Sequence, residues 1–265
     1  MKNFDFPPVI QQALALVHPS WLAGVQAGLA AMQAKDPAYL PGLADGEFLP
    51  SQGRLFAAFA IPVAKVRHVL IGEGPYPREQ SATGVCFMDG AVGELWSQEP
   101  DGGLSKKVNR ATSLRNFIKM LLVADGKLDV ENTGGAALAA ISSQARQPGS
   151  GMIQTLPELQ DRLGLHGFLL LNASLVFRAN VPPVKDAKAW MPFLQAILDT
   201  LYAQRQQSGS LPQLVLWGKI AEQLKLIQGS ALFPHLVAEH PYNLSFIANQ
   251  GMQAFFGPLH LLDQV

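Results

Sequence analysis

The chain has 265 residues, of which 48% are hydrophobic and 15% are charged. This amount of apolar surface is enough to offset the entropy of ordering the chain, which excludes a disordered or low-complexity protein. Lysine and arginine balance aspartate and glutamate at 20 each, so the net charge is zero. A uniformly basic nucleic-acid-binding surface is therefore excluded, and any binding to nucleic acid must use a local basic patch.

The only cysteine, Cys86, excludes a disulfide within the chain, a cysteine-rich zinc site and a four-cysteine iron–sulfur cluster. The first residues lack the basic and apolar regions of a signal peptide. No apolar stretch approaches the roughly 18 residues of a membrane span. We therefore expect a cytoplasmic protein that does not associate with a membrane.

Residues 1–66 are predicted to be mainly helical, with connecting loops. Apolar residues recur at helical spacing from Leu22 to Met32, and Ser20 is placed to cap the start of this helix. The stretch that follows, 45–53, contains glycine and proline and is predicted to be a loop.

Beyond residue 65, short aliphatic runs begin to alternate with helical patterns. We predict four strands, at 66–72, 168–172, 214–218 and 235–240. The clearest helix between them spans 187–204. The stretches 98–105 and 124–151 are rich in small and polar residues, which predicts loops or insertions.

Aliphatic runs that are buried on both faces are typical of parallel strands, and their alternation with helices indicates an α/β fold. We predict a three-layer α/β/α sandwich with a central four-stranded parallel sheet. The strands before and after each insertion are predicted to pair in the same sheet, so neither insertion separates two domains. We therefore expect a single domain over 1–265, with 1–65 as its helical N-terminal part.

In parallel sheets of this kind, binding sites form beyond the carboxyl ends of the strands. The first such end carries the stretch 71–87, IGEGPYPREQSATGVCF. A dinucleotide-binding loop is excluded because position 77 is proline, and a nucleoside-triphosphate loop is excluded because Gly-Lys-Ser/Thr is absent. By itself, the stretch is compatible with a site or with a tight turn.

Two other strand ends carry candidate site residues. Asn172 ends a buried strand, and its amide offers one acceptor and two donors that can read the edge of a base. Alternatively, it caps the turn that follows. His240 precedes Pro241, which restricts its backbone, and its ring is either catalytic or structural.

Taken in order, these motifs resemble those of the uracil-DNA glycosylase superfamily, most closely its classical, family-one enzymes. The family's GQDPYH resembles GEGPYP at 72–77, and its next aromatic segment resembles GVCF at 84–87. Its LLLNTVLTVR, FLLWG and HPSPLS resemble LLLNASLVFR at 169–178, LVLWG at 214–218 and HPYNLS at 240–245. The resemblance implies the same α/β fold and the excision of a base from DNA.

The resemblance also implies roles for five residues, in a reaction that first flips the nucleotide out of the stack. Phe87 would stack on the base, Asn172 would bind the edge that distinguishes uracil from cytosine, and Tyr76 would exclude the methyl group of thymine. Leu244 would fill the vacated stack. His240 would stabilise the negative charge that develops on the leaving uracil. For Phe87 and Leu244 the alternative is ordinary packing.

The first motif departs from the family at its catalytic position. The family's aspartate aligns with Gly74, which has no side chain. Glu73 is a candidate replacement, because a GE[AG]P motif resembles the family-four glycosylases, which place the acid one position earlier. Those enzymes carry four cluster-binding cysteines, unlike this chain. Adjacent residues point in different directions, so the side chain of Glu73 need not replace that of the aspartate. Two alternatives stay open: Glu73 acts as a base or as an electrostatic partner, or it has no role in catalysis.

A basic segment, 104–120, holds five positive residues and no acidic residue. It is either a phosphate-binding segment with salt-dependent affinity or a solvated amphipathic helix. The resemblance adds two serines as DNA contacts, whereas Tyr242 and Asn243 replace the family's Ser-Pro. Besides Leu244, the predicted DNA-binding residues are Lys106, Lys107, Arg110, Ser113 and Ser245.

The leading hypothesis is a monomeric DNA glycosylase that acts on DNA containing a damaged base and needs no metal or other cofactor. Uracil, hypoxanthine and xanthine stay open as the excised base. The alternative is a catalytically weak or inactive homologue that binds DNA or a base without excision, which Gly74 and the neutral net charge favour. An unrelated nucleotide-binding α/β protein ranks below both, because the chain lacks a glycine-rich phosphate loop.

Overall fold

The structure is a computed structural model that describes residues 6–264, with the side chains of 206–208 excepted. The chain packs into two compact units. The first contains the residues up to Met88 together with Gly167–Leu236, and the second contains Asp89–His166 and the residues from Val237 onward. A single domain over 1–265 stays a prediction.

A four-stranded parallel sheet with helices around it confirms the predicted α/β fold. The strands are β1 (His68–Gly72), β2 (Phe168–Asn172), β3 (Gln213–Trp217) and β4 (His235–Ala238). Their order in the sheet is β2-β1-β3-β4. The predicted bounds differ from these by at most two residues at either end. All five residues of β2 are buried, which explains why the strand is an apolar run up to its last residue, Asn172.

Ten α-helices lie within the described residues. They are α1 (Pro8–Ala13), α2 (Leu22–Lys35), α3 (Tyr39–Ala44), α4 (Lys106–Arg110), α5 (Thr112–Ala124), α6 (Gly135–Ala145), α7 (Leu156–Leu165), α8 (Pro183–Ser208), α9 (Ile220–Leu224) and α10 (Gln250–Phe256). Short 3-10 turns occupy Leu14–Leu16, Pro19–Trp21, Arg54–Ala60, Val63–Lys65, Ser230–Leu232, Leu244–Ala248 and Gly257–Leu259. None of the helices in this part of the chain has the length and apolar composition needed to cross a membrane.

In the first unit, α2 packs closely against α8. A Cβ added to Gly28 would lie 2.7 Å from Cδ2 of Phe193, so this glycine permits the close approach of the two helices. The prediction that Ser20 caps α2 was wrong. Ser20 lies in the turn before the helix, and its hydroxyl accepts a hydrogen bond from the Val63 backbone N–H at 3.0 Å. A tertiary contact therefore takes the oxygen that the sequence pattern assigns to the helix end.

In the second unit, the structure adds detail to the predictions for two stretches. The stretch 124–151 is not only loop, because α6 lies within it and buries Leu138 and Ile141. Its sequence is rich in alanine, which has the highest helix propensity. The basic segment 104–120 forms two helices, α4 and α5, because the chain leaves the helical conformation at Ala111 (φ −87°, ψ 77°).

Candidate functional site

The segments that follow β1 and β2 run side by side in the first unit. Gly72 is paired with Asn172 at the carboxyl ends of the two strands. The pairing then continues beyond the sheet, since the Ala173 N–H donates to the Gly72 carbonyl at 2.8 Å and the Ser174 N–H donates to the Glu73 carbonyl at 3.1 Å. The GEGP motif and the residues after Asn172 are thus held together by backbone hydrogen bonds.

Gly72 brings three parts of the predicted site together. A Cβ at this position would lie 2.5 Å from Sγ of Cys86 and 3.2 Å from Oδ1 of Asn172. Only glycine therefore allows the thiol and the amide to approach this strand end. The Cys86 N–H donates to the Leu170 carbonyl at 3.0 Å, which fixes the residue next to Phe87 against β2. Motif matching did not reveal this role of Gly72, although the glycine ends a strand.

Phe87 has a left-handed backbone conformation, with φ 68°, which is uncommon for a residue with a bulky side chain. The Tyr76 hydroxyl donates to the Phe87 carbonyl at 3.3 Å. The Thr83 hydroxyl donates to the Met88 carbonyl at 3.0 Å and braces the same loop. The Phe87 ring packs edge to face with Trp217 at the end of β3, with 5.2 Å between centroids. Trp217 lies in a matched motif but was not predicted as a site residue.

Asn172, the last residue of β2, is almost fully buried. The residue is 5% exposed, yet no group within residues 6–264 hydrogen-bonds its side chain. Buried amides are normally satisfied, because an unmade hydrogen bond costs about 1–3 kcal/mol. The amide of Asn172, which has no hydrogen-bond partner among the described residues, therefore lies at the end of β2 beside Gly72, which Cys86 also approaches.

Glu73 and Gly74 are exposed and follow Gly72 in the chain. Gly74 does not have a positive φ, and a Cβ there would have only ordinary contacts with Ser174, at 3.7 Å and 3.8 Å. The backbone therefore does not require glycine at the position where the family has aspartate. Both residues also line a cavity of about 670 Å³ next to Ser174 and Arg178, whose lining does not include the three base-binding candidates.

Arg178, the last residue of the second matched motif, is held in an ion pair. Its guanidinium binds both carboxylate oxygens of the buried Asp186, and the Tyr39 hydroxyl donates to the same carboxylate at 2.7 Å. The hydrogen bond to Asp186 raises the pKa of Arg178, and burial, followed by the effect of Asp186, raises the pKa of Tyr39. Arg178 therefore anchors the segment after β2 to α8.

In the second unit, the segment 239–249 carries His240 and Leu244. Nδ1 of His240 accepts a hydrogen bond from the Tyr242 N–H at 3.1 Å. An accepting Nδ1 assigns the hydrogen of the neutral ring to Nε2, which makes Nε2 a donor. Leu244 is 69% exposed, and the neighbouring Tyr242 is 67% exposed. At the far end of the segment, the Asn249 amide donates to Glu239 at 2.8 Å.

The predicted phosphate-binding residues also lie in the second unit. The Ser105 hydroxyl caps α4 by accepting from the Val108 N–H at 3.2 Å. Ser113 is half-buried in the first turn of α5, and Ser245 is exposed in the turn Leu244–Ala248, which packs against α5. The three basic residues of α4 are exposed, namely Lys106, Lys107 and Arg110.

One group of side chains in the described part of the chain has the ligand types and spacing of a metal site: Asp125, His260 and Asp263. The ammonium group of Lys127 already binds both carboxylates, at 3.3 Å from Asp125 and 2.6 Å from Asp263. Burial raises the pKa of Asp125. A lysine cation therefore balances these acids, and the arrangement gives no reason to assign a metal.

No protein-family model matches the chain. A uracil-DNA glycosylase of Corynebacterium glutamicum is 30% identical over 221 residues, which cover 81% of this chain and 75% of that protein. The crystal structure of the wild-type UNG from Nitratifractor salsuginis is 35% identical, with a TM-score of 0.85, over 98% of this chain and 100% of that one. The mimivirus uracil-DNA glycosylase, 17% identical with a TM-score of 0.53, shares the fold.

The sequence similarity extends over most of both chains, and the predicted superfamily is thereby confirmed. The chain belongs to the uracil-DNA glycosylase family.

Proposed function

We propose that this chain is a DNA repair glycosylase that excises uracil from DNA by base flipping and hydrolysis of the N-glycosidic bond. The observation that carries the proposal is the Asn172 amide, which no described protein group hydrogen-bonds and which lies at the strand end where Gly72 and Cys86, the neighbour of Phe87, also meet. Relatives named uracil-DNA glycosylase favour excision over the alternative of binding without excision. We further propose that the protein acts as a monomer and uses no cofactor.

Base selection would rest on three properties of this group. The flat ring of Phe87 offers a stacking surface, and its packing against Trp217 limits how far it can move. The Asn172 amide can pair with a uracil edge, which presents one donor and one acceptor to it. The Tyr76 ring, tied to the Phe87 carbonyl, would occupy the space that the methyl group of thymine needs.

Bond cleavage would depend on His240. As the bond between C1′ and N1 breaks, its electron pair passes to the base and leaves negative charge on the uracil oxygen. A hydrogen bond from Nε2 of a neutral His240 would stabilise this charge. The oxygen of a water molecule then bonds to C1′, and the proton that the water releases passes to solvent or to a nearby proton-accepting side chain.

The water-activating carboxylate is the part of the site in which this chain differs from the classical family-one enzymes. We propose that Glu73 supplies electrostatic help to the cationic sugar, because Gly74 offers no side chain and the two residues share the loop after β1. Help of this kind typically contributes about 10²–10⁴-fold to rate. If Glu73 contributes less to the rate than an aspartate at position 74 would, excision by this chain is slower than excision by an enzyme with that aspartate.

We propose that DNA contacts come from the second unit. The exposed basic residues of α4 would neutralise phosphates, together with Ser113 and Ser245. Leu244 would enter the stack in place of the flipped base, a known use of exposed apolar side chains.

The test is an excision assay on end-labelled DNA that contains a single uracil, followed by alkali to cleave abasic sites. We expect strand cleavage with uracil and none with thymine at the same position. Duplexes with hypoxanthine or xanthine establish the range of bases, and the Asn172→Ala variant controls for a contaminating glycosylase. Tight binding of uracil-containing DNA with no cleavage, even at enzyme excess over many hours, would support the binding-only alternative instead.

A further inference from the structure

We propose that Asn116 is a positioning residue, which sets the conformation of the segment carrying His240 and Leu244 and thereby the rate of base excision. The inference rests on the proposed function for its effect on rate. Its effect on the segment itself can be measured whether or not the chain excises a base.

The evidence is a convergence of three backbone carbonyls on one side chain. Asn116 lies on α5 and is 0% exposed. Its Nδ2 donates to the Pro241 carbonyl at 2.7 Å and lies 3.3 Å and 3.4 Å from the carbonyls of Tyr242 and Asn243. Three consecutive carbonyls therefore surround a single amide group that is 125 to 127 residues away in sequence.

The orientation of this amide is set from its other side. Its Oδ1 accepts from Nε of Arg115 at 3.4 Å, so Nδ2 is the atom that faces the carbonyls. Arg115 also donates to the Asn109 carbonyl at 3.0 Å, near the end of the basic helix α4. The amide therefore lies between the segment that carries His240 and the helix that we propose to contact phosphates.

The residues held by Asn116 are those that determine where His240 and Leu244 lie. The Asn243 N–H donates to the His240 carbonyl at 2.9 Å, which closes a turn from His240 to Asn243. The Tyr242 N–H donates to Nδ1 of His240 inside the same turn. Asn116 binds the carbonyls on the inner side of this turn, and Leu244 follows at its end.

The rest of α5 does not need the Asn116 amide for its packing. The helix buries an apolar face that includes Leu114, Phe117, Ile118 and Leu121. Loss of the amide hydrogen bonds should therefore leave the helix folded while freeing the turn. A shift of about 1 Å in a reacting group can cost about 100-fold in rate.

The test compares wild type with Asn116→Asp, which keeps the side-chain shape but replaces the donor with an oxygen that faces three carbonyls. Asn116→Leu, which fills the space with an apolar group, is the second variant in case the aspartate variant does not fold. Ser142→Ala is the matched control, because Ser142 is equally buried in the same unit and its hydroxyl donates to the Ser97 carbonyl instead. Two quantities are measured: the single-turnover excision rate at saturating enzyme, and hydrogen exchange of the backbone amides of 240–248 in the free protein.

For a folded Asn116 variant, we expect the single-turnover rate to fall at least 10-fold. Its affinity for DNA with an abasic-site analogue should fall by a smaller factor than the rate does. Exchange at 240–248 should be at least 10-fold faster, whereas exchange in α7 should be unchanged and the Ser142→Ala protein should resemble wild type. A wild-type excision rate, or wild-type exchange at 240–248, overturns the positioning role. If wild type itself does not excise any base, the proposed function fails, and the exchange measurement alone decides the role of Asn116.

Discussion

The thiol of Cys86 lies against the backbone of Gly72 so closely that a methyl group on Gly72 would be 2.5 Å from Sγ. Gly72 is the last residue of β1, and Cys86 immediately precedes Phe87. The contact therefore joins the strand end to the loop that carries the proposed stacking ring. The thiol is also buried, with consequences for its ionisation.

Stability should fall at alkaline pH because of Cys86. Burial raises the pKa of this thiol to about 12 in the folded protein, against roughly 8.5 in an unfolded chain. Below pH ~8.5 both states keep the proton, so this thiol adds no pH dependence there. Between that pH and about 12 the unfolded state binds fewer protons, and the free energy of unfolding decreases as pH rises. Urea unfolding at pH 7, 9 and 10.5 should show this decrease in wild type and a smaller one in Cys86→Ala. Equal slopes for both proteins would assign the decrease to other groups.

The Asn172→Ala variant should lose excision without losing stability. No described protein group hydrogen-bonds the Asn172 side chain, so its removal breaks no internal hydrogen bond. Loss of its hydrogen bonds to the base should cost about 1–3 kcal/mol, or roughly 5- to 150-fold in uracil excision. Ser174→Ala gives the matched comparison, because the equally buried Ser174 hydroxyl donates to the Val176 carbonyl at 2.9 Å. That variant should lose stability and keep more activity. An active and folded Asn172→Ala protein would contradict base reading by this residue.

A carboxylate at position 74 should accelerate excision. The backbone of Gly74 accepts a side chain without strain, and the nearest atoms to an added Cβ belong to Ser174 at 3.7 Å and 3.8 Å. If Glu73 contributes less than an aspartate at this position would, Gly74→Asp should raise the rate of uracil excision by a factor of up to about 10²–10⁴. Gly74→Asn is the uncharged control of the same shape and should give no such gain.

The companion variant for position 74 is Glu73→Gln. If Glu73 already assists the reaction, its neutralisation should abolish excision, and Gly74→Asp should add little in the wild-type background. A like charge on two adjacent carboxylates would also raise one of their pKa values, which a pH–rate profile of Gly74→Asp would reveal. Unchanged excision in both variants would remove this loop from the catalytic mechanism.

Neutralising α4 should weaken DNA binding irrespective of sequence. Replacing Lys106, Lys107 and Arg110 with glutamine should reduce the slope of log K against log salt by about 0.9 for each phosphate that the variant no longer neutralises. The control is a triple variant of exposed basic residues in the first unit, Lys35, Lys65 and Arg67, with the same change in net charge. Should both triple variants keep the wild-type slope, the phosphates must be bound elsewhere on the protein.

Much of the fold and of the candidate site follows from local sequence. Strands β1, β2 and β3 are short apolar runs because they are buried on both faces, and this property is visible without any knowledge of their neighbours. Strand β4 is different, since its four residues alternate between exposed and half-buried. Asn172 is conspicuous for the same reason, since an amide at the end of a fully apolar strand has no local partner. Tyr76 and Phe87 were predicted from matched motifs, which specify order and spacing along the chain.

Tertiary structure decided what depends on contacts between distant residues. The hydroxyl of Ser20 binds Val63 rather than the helix that it precedes, and Gly72 is needed because Cys86 and Asn172 converge on it. The amide of Asn116 reaches the carbonyls of 241–243 across 125 to 127 residues of sequence. Periodicity and spacing report which face of an element is buried, but not which group lies opposite. Sequence alone therefore identified the candidate base-reading residues, while the folded chain determined what holds them, and His240, in position.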